Sequence, residues 1–226
     1  MLVLSTVDCV KKNKVVIRFL DTGTELEVYK SNVRAGIVKD TYRPVIFGVG
    51  YLGSVSMKGD SKAYRTWGNM LRRCYDKEDT RYSLYGGVGV KVCTTWHNFT
   101  NFLKWYKTNY ITGYTLDKDL TSFLEGDAKV YTRDTCVFLP HTINNFLSVK
   151  HINRELPVGV WEDSLGMYWS GYGRINKKQK RFETIPEAVA YHRETKILAG
   201  KALLDKHRDT LPEETMGLLE RYMLTL

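Results

Sequence analysis

Five cations fall between positions 174 and 181: Arg174, Lys177, Lys178, Lys180 and Arg181, with no carboxylate among them. Contact with phosphate oxygens is the chemistry such a cluster serves best, giving affinity, while sequence preference needs contacts to base edges. The bland alternative is a polar hairpin turn. Two aromatic strings precede the cluster, Gly159-Val160-Trp161 and Met167-Tyr168-Trp169-Ser170-Gly171-Tyr172. At least one of Trp161, Tyr168 and Trp169 belongs in a core, and exposed members are available to stack or to touch sugar. Arg65, Arg72 and Arg73 form a second set of cations, open to phosphate or to solvent. In Leu116-Asp117-Lys118-Asp119, two carboxylates flank one amine. They read either as strand-end charges or as part of an anionic site.

The elements that must carry these groups follow from periodicity. Val15–Leu20 and Glu25–Tyr29 are rich in β-branched and aromatic residues, and Asp21-Thr22-Gly23-Thr24 between them is a hairpin turn. Lys12-Asn13 marks a turn before them, so a small meander opens the chain. Residues 31–60 read as a glycine-bearing connection. From Ser61 to Asp76, Tyr64, Trp67, Leu71 and Cys74 recur at three- and four-residue steps, which predicts an amphipathic helix with Arg65, Asn69, Arg72 and Arg73 on its other faces. Tyr85–Cys93 predicts a tight glycine turn and a short strand. Its spacing fits neither GxGxxG nor the P-loop, so it is not a phosphate cradle. Trp96, Phe99, Phe102, Leu103 and Tyr106 sit at helical spacing, which argues for core. Near the C-terminus, three short strand or turn pieces precede a helix of about 20 residues. Thr184 is its N-cap and Glu187 completes a capping box. A last helix begins after Leu211-Pro212, with Leu218, Leu219, Tyr222 and Met223 on one side.

Composition bounds the partner. The 226 residues are 43% hydrophobic and 26% charged, with 15 Tyr and 5 Trp, enough to build cores. The formal charge of +9 favours polyanionic partners, chiefly nucleic acid. Cys9, Cys74, Cys93 and Cys136 stand singly, with no zinc-binding spacing. The start lacks a signal peptide's basic flank and apolar run, and no stretch approaches a membrane span. These features predict a cytoplasmic protein with no membrane partner.

The string Tyr64-Arg65-Thr66-Trp67 … Met70–Tyr75, then Tyr85–Cys93, Trp96 … Phe99 … Phe102, Leu116–Asp119 and Asp134–Pro140 … Asn144, resembles phage-encoded HNH-like homing endonucleases. The resemblance covers residues 64–147, and more weakly the leader around Gly48–Gly53. It implies a ββα core in which an Asp-His pair on the first strand and a polar helix residue hold one divalent metal, Mg or Mn. That metal would neutralise charge developing on a phosphodiester while the His activates water. Carried over, Asp117 and Asn144 match the metal residues, with Asp119 and Asn145 nearby. Lys118 stands where the His belongs. At pH 7 only about one free Lys in a few thousand is uncharged, so Lys118 loses about three orders of magnitude as a base unless burial intervenes. As a cation it is a phosphate clamp. His141, at the start of the helix, is the remaining candidate base.

Residues 156–192 resemble the AP2 domain often joined to such endonucleases, through Leu156–Trp161, Met167–Tyr172, Phe182-Glu183-Thr184 and Pro186–Tyr191. That likeness implies a three-stranded sheet laid on DNA and backed by one helix. Lys180-Arg181 and Met167-Tyr168 depart from the family's usual residues, so it implies no particular target sequence. The expected whole is an α+β protein in three segments. Residues 1–57 form a basic β-rich module, 58–150 a degenerate HNH-like core and 151–226 an AP2-like module with a terminal helix. The expected function is double-stranded DNA binding with weak or lost cleavage. The alternatives are an active nicking endonuclease, and a non-catalytic phage effector on structured RNA or a host nucleoprotein such as a ribosome or RNA polymerase.

Overall fold

Alternation builds the first sheet. Val15, Ile17 and Phe19 point to one side of their strand and are buried, packing with Leu26, Val28, Val33 and Val38. Strands β1 (Leu4–Lys11), β2 (Lys14–Phe19) and β3 (Glu25–Tyr29) pair antiparallel in that order. Gly23, at φ +71°, closes the β2–β3 turn as its left-handed residue. The computed structural model describes residues 4–11, 13–55, 59–125, 129–148, 155–172 and 179–226. The chain is of the α+β class. Its contacts divide it into two compact units, residues 1–110 with 129–133, and residues 111–128 with 134–226. These divisions fall at 110/111 and around 129–133, whereas the sequence segments meet at 57/58 and 150/151.

In the first unit, the loop-rich connection expected over residues 31–60 opens with a short helix, α1 (Lys30–Arg34). The amphipathic helix follows as α2 (Ser61–Tyr75), with Ala63, Trp67, Met70, Leu71 and Cys74 buried. Trp67 is wholly buried and donates its indole N–H to the Trp96 carbonyl at 2.6 Å. Truncating such a residue to alanine costs about 3–5 kcal/mol. Strand β4 (Lys91–Val92) pairs in parallel with a later short strand, β6 (Val130–Tyr131). The expected helix from Trp96 begins later, as α3 (Phe99–Asn109), because the Asn98 carboxamide caps it by accepting the Thr100 N–H at 2.9 Å. Thr94–His97 is instead a 3₁₀ turn.

In the second unit, β5 (Thr115–Asp117) pairs antiparallel with β7 (Val137–Leu139), and α5 (His141–Leu147) follows β7 directly. Between the two strands, α4 (Asp119–Glu125) was not foreseen. Leu139, Ile143 and Phe146 of this ββα piece share one core with Leu203, Leu204, Leu219 and Tyr222. Those partners lie on α6 (Ile185–His207) and α7 (Glu213–Thr225). Strands β8 (Val160–Glu162), β9 (Tyr168–Ser170) and β10 (Lys180–Phe182) form an antiparallel sheet in the order β10-β9-β8, and α6 packs on one of its faces. The expected capping box is present: the Thr184 hydroxyl accepts the Glu187 N–H, and Glu187 reaches back to the Thr184 N–H. Among the described residues, no helix is long and apolar enough to cross a membrane.

Candidate nucleic-acid interface

Asp117, 4% exposed, sits where β5 turns into α4. Its Oδ1 accepts the backbone N–H groups of Asp119 and Leu120, each at 3.0 Å, and so ties down the helix's opening donors. Burial drives the Asp117 carboxyl up to about 6. The Leu120 N–H opposes that rise, the Asp119 charge adds to it, and Lys118 with the Asp119 N–H opposes it. Lys118 is also buried, and its ammonium donates to Asp119. A general base needs an available lone pair, and this amine is instead acting as a donor.

Asn144 lies on α5, and its amide donates to the Thr115 hydroxyl at 3.0 Å. Thr115 and Asp117 are two residues apart on one strand, so the Asn144 contact and Asp117 share a strand face. His141 is exposed, one turn before Asn145, with its Nε2 3.0 Å from the Asn145 amide. The residues expected to bind metal therefore lie near one another, and their contacts are with the protein's own groups. One Asp117 oxygen already holds two amides, the Asn144 nitrogen faces a hydroxyl, and an ammonium stands alongside. Among the described residues, no cluster of three or more His, Cys, Asp or Glu could hold a metal. The arrangement works as a helix cap.

The arginines of α2 divide by partner. Arg72 Nε lies 2.9 Å from Asp79, whose carboxyl also meets Arg81 at 3.3 Å. The Arg81 N–H, then its guanidinium, with Arg72 beside them, outweigh burial and hold the Asp79 carboxyl below the usual range. Arg73 lies over the rings of Tyr85 at 4.8 Å and Tyr131 at 5.8 Å, so its cation braces the fold. Arg65 is exposed and has no ion-pair partner among the described residues.

The β8–β10 sheet sorts its side chains by register. Trp161 lies opposite Trp169, and Trp169 lies opposite Arg181. Directly paired residues point the same way, so two indoles and a guanidinium form one row across the sheet. Val160 and Ser170 point to the other face, where both are buried beneath α6 with Ala188. Phe182 points there too, with its ring 5.3 Å from Tyr191 of α6. Lys180, expected in the phosphate-binding cluster, lies on this helix side, with its ammonium 4.9 Å from the Tyr191 ring. Alternation along β10 therefore separates Lys180 from Arg181. Arg174, Lys177 and Lys178 lie outside the described residues.

Asp163, which sequence reasoning missed, organises the row. It accepts the Trp169 indole N–H at 2.9 Å and pairs with Arg181 Nε at 2.9 Å. Its Oδ1 also accepts the N–H groups of Leu165 and Met167. Burial works against this carboxylate, but the Trp169, Leu165, Met167 and Arg181 hydrogen bonds outweigh it and carry the carboxyl down to about 2. The signal was available in the string Asp163-Ser164-Leu165-Gly166, a turn sequence with Asp at its first position. Arg181 is thus oriented by one of the protein's own carboxylates, which also offsets its charge. Trp161 is 38% exposed, and Arg181 is exposed as well. Comparison of the chain with family models, with curated proteins and with solved structures finds no match in any of the three.

Proposed function

We propose that the chain is a phage-type DNA-binding protein whose β8–β10 sheet lies on duplex DNA. The observation that carries this reading is the outward row of Trp161, Trp169 and Arg181 on the sheet face that α6 leaves uncovered. A short antiparallel sheet is narrow enough to enter a major groove, where a guanidinium can meet guanine and an indole can pack on sugar or a thymine methyl. Asp163 fixes Trp169 and Arg181 in advance, which lowers the ordering cost of binding. Phosphate affinity comes from Arg174, Lys177 and Lys178 in the sequence between β9 and β10, in a chain of net charge +9.

Two arrangements support the family resemblances: the antiparallel β5–β7 pair followed by α5, with α4 and β6 inserted between its strands, and three strands then a long helix at 160–207. Strand cleavage does not form part of the proposal. Asp117 serves α4 as a cap, and Lys118 is paired with Asp119.

The test is incubation of the purified chain with supercoiled plasmid and Mg²⁺ or Mn²⁺, followed by native gel electrophoresis. Retarded, uncut plasmid is the expected result, with affinity falling steeply between about 50 and 200 mM salt. Metal-dependent nicking that Asp117→Ala abolishes would replace this reading with an endonuclease. A plasmid neither retarded nor cut would point to a protein partner.

A further inference from the structure

The first unit carries a groove of about 610 Å³ between the loop at Val45–Phe47 and one stripe of α2. Arg65, Gly68, Asn69 and Arg72 line it at positions i, i+3, i+4 and i+7, so they share a helix face. The opposite wall presents Val45, 64% exposed, and Phe47, 36% exposed. Tyr64 lines the groove as well, and its ring is wedged edge-on against Phe99 at 5.4 Å, which fixes that wall to the core.

Two features give up stability for the sake of this shape. Phe47 has φ +50° and is followed by Gly48 at +74°, a turn with both central residues in left-handed conformation. Such turns call for Gly, Asn or Asp, and a bulky side chain there is strained. At Gly50 the loop backbone lies against Leu71 and Trp67, with no room for a side chain. Gly68 is the second feature. It lies inside a helix, where glycine is among the poorest formers, although a Cβ there would meet nothing within 4 Å. The protein therefore keeps a ring displayed and a floor open where an ordinary turn residue and an alanine would be more stable.

The geometry points to a nucleotide of a single strand as the occupant. A nucleotide has a flat π-face, a hydrogen-bonding edge and an anion, and the groove offers a match for each. Phe47 supplies a stacking surface, the Asn69 amide can both donate and accept, and Arg65 is an exposed cation with no ion-pair partner among the described residues. We infer that this groove receives an unstacked base, with its phosphate on Arg65. A strand is favoured over a free nucleotide because Arg72, which also pairs with Asp79, places a second guanidinium about 10 Å further along the same helix face. This inference shares with the sheet reading only the premise of a polyphosphate partner, since its residues lie in the other unit.

The experiment measures anisotropy of a labelled single-stranded 12-mer with the full chain, beside an abasic 12-mer, dAMP, an acidic peptide rich in aromatics and a duplex. Phe47→Gly removes the ring and its strain together, and Gly68→Leu fills the floor. Each is expected to weaken binding of the base-bearing strand by about 5- to 150-fold, the range of one base stacked on a ring. Phe47→Gly should do so without lowering the thermal midpoint. The abasic strand should bind wild type as weakly as the base-bearing strand binds Phe47→Gly, and 2-aminopurine in the strand should change emission on binding only where Phe47 is present. Equal affinity of wild type and both variants for the base-bearing strand would overturn the inference. So would saturation by dAMP at the 12-mer's own concentrations, or displacement of the strand by the peptide. Duplex binding with no single-strand binding would sink this inference and leave the sheet reading standing. Absence of both would remove the shared premise.

Discussion

Asp117 and Asp163 each close a turn by accepting two backbone N–H groups, yet their carboxyls move in opposite directions. Burial acts against the ionised form at both. At Asp117 it prevails and pushes the carboxyl up to about 6. At Asp163 the Trp169 indole, two backbone amides and the Arg181 guanidinium prevail and bring it down to about 2. The cation next to Asp117 donates instead to Asp119. One residue type thus performs two tasks. Asp117 holds a helix end inside a core, and Asp163 positions side chains that face outward. The carboxylate that the sequence resemblance led us to expect on a metal is the inward one.

The largest effect that would sharpen this contrast is on stability. Asp117→Asn keeps an oxygen for the two amides and removes the buried charge. A carboxyl raised from 3.8 to about 6 stabilises the native state fully below pH 3.8, and that contribution is lost as pH rises through about 6. Denaturation from pH 4 to 7 should therefore show wild type losing up to roughly 3 kcal/mol relative to Asp117→Asn. Parallel pH profiles would mean that Asp117 is not a buried charge.

The next effect concerns Asp163, where the sign reverses. Its contribution is present above pH 3.8 and lost as pH falls through about 2. Asp163→Ala should abolish that acid-side loss and weaken duplex binding about 10- to 100-fold, since Trp169 and Arg181 both lose their anchor. Unchanged binding in gel shift would break the link between Asp163 and the interface. Arg181→Lys should weaken binding about tenfold, because an ammonium cannot reproduce a guanidinium's planar contact. Trp161→Ala, at an exposed position, should cost about fivefold in affinity with no change in thermal midpoint. The smallest effect tests the helix behind the row. Thr184→Ala should lower stability by about 1 kcal/mol in urea titration while leaving the salt slope of binding unchanged.

Much of the fold was legible because periodicity is a local signal. Tyr64, Trp67, Leu71 and Cys74 announced α2, Asp21–Thr24 announced the hairpin, and Thr184 with Glu187 announced the start of α6. Helix α4 escaped because it spans only Asp119–Glu125 and its cap, Asp117, had been read as a strand-end charge or a metal ligand. The onset of α3 slipped because the aromatic pattern runs on through Trp96 into a 3₁₀ turn, whereas the Asn98 side chain sets where the α-helix starts. The arginines were visible as cations, but their partners were not. Asp79 for Arg72, two tyrosines for Arg73 and Asp163 for Arg181 lie beyond the reach of spacing rules.

By itself, the sequence determined the α+β class, the positions of α2, α6 and α7, and a cationic balance suited to phosphate. These follow from hydrophobic period, capping chemistry and net charge, which are properties of a residue and its near neighbours. Only the tertiary structure decided that Trp161, Trp169 and Arg181 share an open face while Lys180 turns toward α6. It also decided that Asp117 is enclosed and that Phe47 is displayed across from Arg65. Register between strands and burial by distant elements set those outcomes, and both depend on residues far apart in the chain.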